Sequence, residues 1–231
     1  MANSVGSGKS IVGNGLVFCL DALDLSCYPD NGTVVTDLVS GITGSLNNAN
    51  TVIRDGVSQT GYFDFDSTVD GMDLPNSTTS PSTEIFAFGS NPYTISCFYK
   101  YEGDQVMWSS GQTGTSNFYI SITSTFLGLG DQGAYKHRPL RTNNDGNWFH
   151  WALVREGTGT NESKWYINGS LFSTGTDATT WISAGTHGTQ INRYTSSPAE
   201  GLVGPLQIYN RGLTTDEVLQ NFNAHKSRFG L

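Results

Sequence analysis

The sequence is poor in charge, in cysteine and in long apolar runs, and each shortage removes a class of function. Only 14% of the 231 residues are charged, and 12 Lys and Arg stand against 20 Asp and Glu, a formal net charge of −8. Phosphate-backbone binding draws on clustered Lys and Arg, so no nucleic-acid partner is expected. The three cysteines, Cys19, Cys27 and Cys97, form no C-x-x-C pair and are odd in number. That argues against a zinc knuckle and a full disulfide framework. No stretch reaches the roughly 18 apolar residues of a membrane span, and Met1-Ala2-Asn3-Ser4 lacks the basic and apolar regions of a secretory signal. No membrane partner is expected, and synthesis in a cytoplasm is.

Catalytic constellations are equally scarce. There is no G-x-S-x-G elbow, and His137, His150, His187 and His225 show no H-x-x-x-H spacing. The six glutamates are not paired along any strand-like run, as glycoside hydrolysis by two carboxylates would need. The expectation is a protein that is not an enzyme and carries no cofactor, calcium aside.

Two glycine motifs imitate phosphate loops. Gly6-Ser7-Gly8-Lys9-Ser10 looks like the end of a P-loop, but Asn3 stands in the first glycine position and Gly13-Asn14-Gly15 would break the helix that must follow. Residues 1–14 read instead as a flexible N-terminal arm. Gly128-Leu129-Gly130-Asp131-Gln132-Gly133 spells G-x-G-x-x-G, yet Pro139 lies within six residues of Gly133 and denies the helix a dinucleotide site requires. A glycine-rich β-turn is expected there.

What the chain does have is 28 glycines, 12% aromatic residues and scattered Ser, Thr and Asn, a composition of many short strands and tight turns. "GLVFCLDALD" reads as a buried strand entering a loop, and residues 26–50 as a long irregular connection. "GYFDFD" alternates with Phe63 and Phe65 inward. "PYTISCFYKY" places Tyr93, Ile95, Cys97 and Tyr99 on one face, and "NWFHWALVRE" places Phe149, Trp151 and Leu153 opposite Trp148, His150, Ala152 and Val154. Asn168-Gly169 in "KWYINGSLF" predicts a type I′ hairpin turn. Thr214 with Glu217 forms a capping box that opens a short helix over 214–225, with Val218, Leu219 and Phe222 on its apolar stripe.

Candidate site residues follow from these loops. Asp64, Asp66, Asp70 and Asp73 could lend oxygens to calcium, against the alternative of solvated loop carboxylates and turn caps. Most of the five tryptophans lie in strand-like runs and read as core. Tyr135, Trp181 and Tyr194 are the aromatics offered for glycan contact.

The ordered stretches "GLVFCLDALDLSCYPDNGTVVTDLVSG", "GYFDFD", "NPYTISCFYK", "NWFHWALVRE" with "KWYINGSLF", and "GPLQIYNRGLTTDEVLQNFNAHKSRFGL" resemble the landmarks of a laminin G-like, concanavalin A-like jelly-roll domain. The resemblance implies an all-β fold, a two-sheet antiparallel sandwich over residues 15–231 with a short C-terminal helix. The ending "IYNRGLTTDEVLQNFNA" is similar to that of such domains in structural proteins of tailed bacteriophages of marine bacteria and cyanobacteria. That similarity implies a virion component made in a host bacterial cytoplasm: a capsid decoration or cement protein, or else a tail or fibre part. Its partners would be the major capsid protein or tail proteins, reached through the arm with Lys9 and the basic tail His225, Lys226 and Arg228, with trimers an option. The alternative is a lectin-like module for host-surface glycans. The glucanase signature Glu-x-Asp-x-(x-)Glu is absent, so no catalytic residue carries over.

Overall fold

A computed structural model describes residues 10–47, 52–55, 59–66, 70–74, 88–110, 118–131, 134–142, 146–181, 189–192 and 200–231. Its strands are β1 (Leu16–Leu20), β2 (Val34–Thr36), β3 (Thr43–Leu46), β4 (Val52–Asp55), β5 (Thr60–Phe65), β6 (Met72–Asp73), β7 (Tyr93–Tyr101) and β8 (Gln105–Ser110). They continue as β9 (Phe118–Ile122), β10 (Leu127–Asp131), β11 (Ala134–His137), β12 (Trp148–Arg155), β13 (Ser163–Ile167), β14 (Ser170–Gly175), β15 (Thr189–Ile191) and β16 (Gly201–Tyr209). One helix, α1 (Thr215–His225), runs into a 3-10 turn at Lys226–Phe229.

The strands form two antiparallel eight-stranded sheets. The first has the order β14-β13-β12-β7-β16-β5-β4, with β1 also on β16; the second has the order β11-β10-β9-β8-β15-β6-β3-β2. β16 serves two neighbours on one side, and on its other side its register against β7 slips between Val203 and Leu206. Gly204-Pro205 occupies that slip, where a proline without an N–H costs the ladder least. β5 then pairs with Gly201–Val203 and β1 with Leu206–Tyr209.

Period-two alternation decides which side chains meet between the sheets. Ile95, Cys97, Tyr99, Phe149, Trp151, Leu153, Phe63 and Phe65 of the first sheet share one core with Met72, Met107, Trp108, Ile120, Ile122, Leu127, Leu129 and Ile191 of the second. The three cysteines are buried and free. His137 joins the two sheet edges: its ring nitrogens lie 2.9 Å from Ser163 Oγ and 3.1 Å from Ser173 Oγ. The Asn168-Gly169 turn has φ of 48° and 78°, the positive angles its sequence predicts.

α1 starts on the expected capping box, with Thr214 as cap, and packs on the outer face of the first sheet. Its stripe differs from the expected one, since Val218, Asn221 and Ala224 are the buried positions and Leu219 is exposed. The helix is rotated to seat Asn221 beneath the chain: Val12 N donates to Asn221 Oδ1 (2.9 Å), Asn221 Nδ2 donates to Tyr209 OH (2.8 Å), and Tyr209 OH donates to Val12 O (3.1 Å). This ring of bonds fastens residues 10–14 to the fold, so the described part of the expected arm is packed; Lys9 and the P-loop lookalike lie outside the described residues. The connection at 26–50 is also more regular than expected, since β2 and β3 pair within it.

Trp181 lies in the core at 1% exposure. Its Nε1 donates to Asp177 Oδ2 (2.7 Å), which faces Arg155 Nη1 at 3.5 Å, and both ion-pair side chains are fully buried. Arg155 also donates to the carbonyls of Gly89 and Gly157 (3.2 Å each) and sits over the Tyr93 ring. Glycan contact by Trp181 is thereby corrected: its indole pins a loop to the sandwich and offers no face to a ligand.

A candidate ligand platform on the open sheet face

Because α1 packs on the first sheet, no described helix covers the outer face of the second. Cross-strand pairing draws one continuous row of residues across that face: Ser45, Asp73, Gln190, Ser109, Tyr119, Gly130 and Tyr135, each opposite the next. Their sequence neighbours Leu46, Met72, Ile191, Trp108, Phe118 and Leu129 point into the core, which places the row outward. Seven strands at about 4.8 Å spacing give it a length of about 29 Å.

The polar half is organised by Asp73, which accepts from Gln190 Nε2 (2.8 Å) and Asn47 Nδ2 (3.3 Å). The aromatic half rests on glycine. A Cβ at Gly128 would fall 2.5 Å from a Tyr135 ring carbon, and one at Gly130 would fall 2.6 Å from the Tyr119 hydroxyl. The two rings therefore press against bare backbone, edge to face with each other at 5.7 Å, and Tyr135 meets Phe126 in the same way at 5.0 Å. Tyr135 OH donates to Ser121 Oγ at 3.5 Å. The expected glycine-rich turn is corrected for its first half: Gly128 and Gly130 sit inside β10, where their missing side chains make room for tyrosines, while Gln132 and Gly133 lie outside the described residues. Gly128→Val is expected to displace Tyr135 and cost about 1–3 kcal/mol, as overpacking does; a urea midpoint and a shifted tyrosine fluorescence signal would check it.

The four aspartates offered for calcium do not form one group. Asp73 belongs to the second sheet and is engaged as described, whereas Asp64 lies on β5 of the first sheet. Partial burial raises the Asp64 pKa, and Asp66, Glu102 and Asp70 add to the rise. Asp66 is exposed and Asp70 is buried. Among the described residues no set of three His, Cys, Asp or Glu is placed to hold a metal ion.

The tail residues expected to dock on a shell are committed internally. Arg228 is 9% exposed and donates to both carboxylate oxygens of Asp21 at 2.7 Å. His225 is packed edge-on to Phe98, and Lys226 reaches over the Phe222 ring. The basic tail is therefore a clasp across the first sheet, which removes Arg228 and His225 as docking groups. Tyr194 lies outside the described residues. Sequence reasoning named Tyr135 but missed Tyr119, Ser109 and Gln190; for Tyr119 the signal was the alternation of "FYISI".

A hollow of about 530 Å³ opens elsewhere, beside Lys100, Arg141, Trp148, Asn168 and Phe229. Its groups are occupied with the fold: Trp148 packs on Phe229 at 4.5 Å, Arg141 covers the Phe149 ring at 4.1 Å, and Asn168 Oδ1 accepts from His150 N at 2.8 Å.

Solved structures with the same fold include a Trypanosoma rangeli sialidase in complex with sialic acid (TM-score 0.63, 13% identity, 96% of this chain and 35% of that one). Domain 4 of AbnA, an extracellular arabinanase from Geobacillus stearothermophilus in complex with arabinotriose, matches at TM-score 0.62 and 18% identity, over 89% of this chain and 97% of that one. The binding domain of Botulinum Neurotoxin DC in complex with SialylT matches at TM-score 0.63 and 11% identity, over 91% of this chain and 51% of that one. The chain spans about a third of the sialidases' length. No curated protein matches the sequence. At these identities the likeness establishes the fold, and a family model adds to it over residues 66–219: Laminin_G_3, described as the concanavalin A-like lectin/glucanases superfamily. On that match, and on a sandwich of two antiparallel sheets, the chain belongs to the Laminin_G_3 family of the concanavalin A-like lectin/glucanase superfamily.

Proposed function

We propose that this domain binds carbohydrate without transforming it, using the open face of the second sheet. The carrying observation is the row itself. Two tyrosine rings, edge to face with each other, sit over the bare backbone of Gly128 and Gly130, in line with the amide of Gln190 and the carboxylate of Asp73. A sugar ring presents an apolar C–H face to an aromatic and its hydroxyls to amides and carboxylates, so a strip of both kinds suits an extended oligosaccharide. Structural neighbours solved with arabinotriose and SialylT support the reading by fold. The virion role implied by the C-terminal landmark draws no support from these neighbours, and of the tail residues it called on Arg228 and His225 are engaged inside the fold.

A glycan array followed by calorimetry tests the reading. Tyr135→Ala and Tyr119→Ala are each expected to weaken binding to any hit by about tenfold or more, equivalent to about 1.4 kcal/mol, while melting within a few degrees of the parent. No array hit, or hits that both variants bind unchanged, would reject it.

A further inference from the structure

We infer that Arg138 makes this face selective for sugars that carry a carboxylate, an inference that rests on the carbohydrate-binding reading above. The argument starts from where the cations go. Arg54, Lys100, Lys136, Arg155, Lys164, Arg211 and Arg228 each lie against an acidic side chain. Arg141 packs on Phe149, and Lys226 lies in the 3-10 turn after α1, over Phe222. In a chain with 20 Asp and Glu for 12 Lys and Arg, pairing is the rule.

Arg138 departs from it. It is exposed, directly follows β11, and makes no ion pair among the described residues. Its guanidinium is held by two rings instead, 5.1 Å from the centre of Phe126 and 5.2 Å from that of Tyr135. Cation–π contact fixes the position of the fork without neutralising it. Tyr135 is also the last tyrosine of the platform, so a sugar resting at that end meets a pre-positioned guanidinium, which binds carboxylates through two parallel hydrogen bonds. The neighbouring Lys136 is neutralised by Asp131 at 2.9 Å. At the other end, Asp73 would repel a carboxylate. The row is therefore polar along its length, with hydroxyls favoured near β6 and an acidic sugar favoured at the β11 edge.

The test uses short oligogalacturonates and their methyl esters, which keep the sugar and remove the charge, titrated into the parent chain, Arg138→Gln and Arg138→Lys. The acid is expected to bind about tenfold tighter than the ester at low salt, with the advantage shrinking at high ionic strength. R138Q should bring acid and ester to parity and leave ester affinity within about twofold, and R138K should retain part of the preference. Equal binding of acid and ester by the parent, or a preference that survives R138Q, would overturn the inference. If neither probe binds while the array yields a neutral glycan that Tyr135→Ala loses, the selectivity is refuted and the carbohydrate reading stands. If the array yields nothing, both fall.

Discussion

Asp177→Ala is expected to destabilise the domain by about 3–5 kcal/mol, the cost of breaking a buried ion pair from one side. Asp177 and Arg155 are both fully buried, 3.5 Å apart. Removing the carboxylate strands the guanidinium in the core with only the two carbonyls of Gly89 and Gly157, and leaves the Trp181 indole N–H without its acceptor. The loop would loosen with it, because Thr179 N donates to the same side chain and the bridge between Gly89 and Trp181 depends on the indole staying in place. A buried pair replaced on both sides by apolar residues behaves differently, since its desolvation cost disappears along with its attraction. Arg155→Met combined with Asp177→Leu should therefore recover much of the stability that Asp177→Ala loses. Urea unfolding of the three proteins measures this directly; a loss below about 1 kcal/mol in Asp177→Ala would show that Arg155 does not need its partner.

Acidification should unfold the domain from the first sheet's outer face. His150 is fully buried beneath α1, with one ring nitrogen 2.8 Å from Ser96 Oγ and its Nδ1 unpartnered among the described residues. Burial, with a smaller contribution from the nearby His225, pushes its pKa down to about 3. Burial likewise brings His225 to about 4, with Arg228 adding to the fall and Asp21 opposing it. Both histidines are neutral in the folded state, whereas in the unfolded chain they protonate near pH 6.5. The unfolded state thus binds more protons below that pH, so stability is complete above about pH 6.5 and falls as pH drops toward the folded values. Two histidines over two pH units lose about 5 kcal/mol between pH 6.5 and 4.5. His137, lowered by burial to about 4, adds in the same direction. Glu217, held at about 2 by Arg211, acts only below this window. His225→Gln should flatten the profile; a urea midpoint constant from pH 7 to 4.5 would contradict the account.

Much of this architecture was legible in the order of residues, because alternation is a local property. A strand with one face in a core must repeat every second residue, so "YTISCFYKY" and "WFHWALVR" announce which side chains face inward before any partner is known. The Asn168-Gly169 turn and the Thr214 capping box are local too, each set by a few backbone angles and one or two hydrogen bonds. β6 and β15, of two and three residues, are too short to show a period and exist because neighbouring strands supply their hydrogen bonds.

The site divides along the same line. By itself, the sequence determined that the chain builds a two-sheet sandwich, that its tryptophans are mostly interior, and that Tyr135 stands among the aromatics to consider. Only the tertiary structure decided that Trp181 belongs to a buried ion-pair network, that Arg228 is spent on Asp21, and that Gly128 and Gly130 make room for two tyrosines. Each of these depends on residues far apart in the chain meeting across a sheet. Which face the helix covers is likewise a long-range outcome: α1 is tied to the first sheet by the bonds of Asn221 to Val12 and Tyr209, and no described helix lies over the row from Asp73 to Tyr135 on the second.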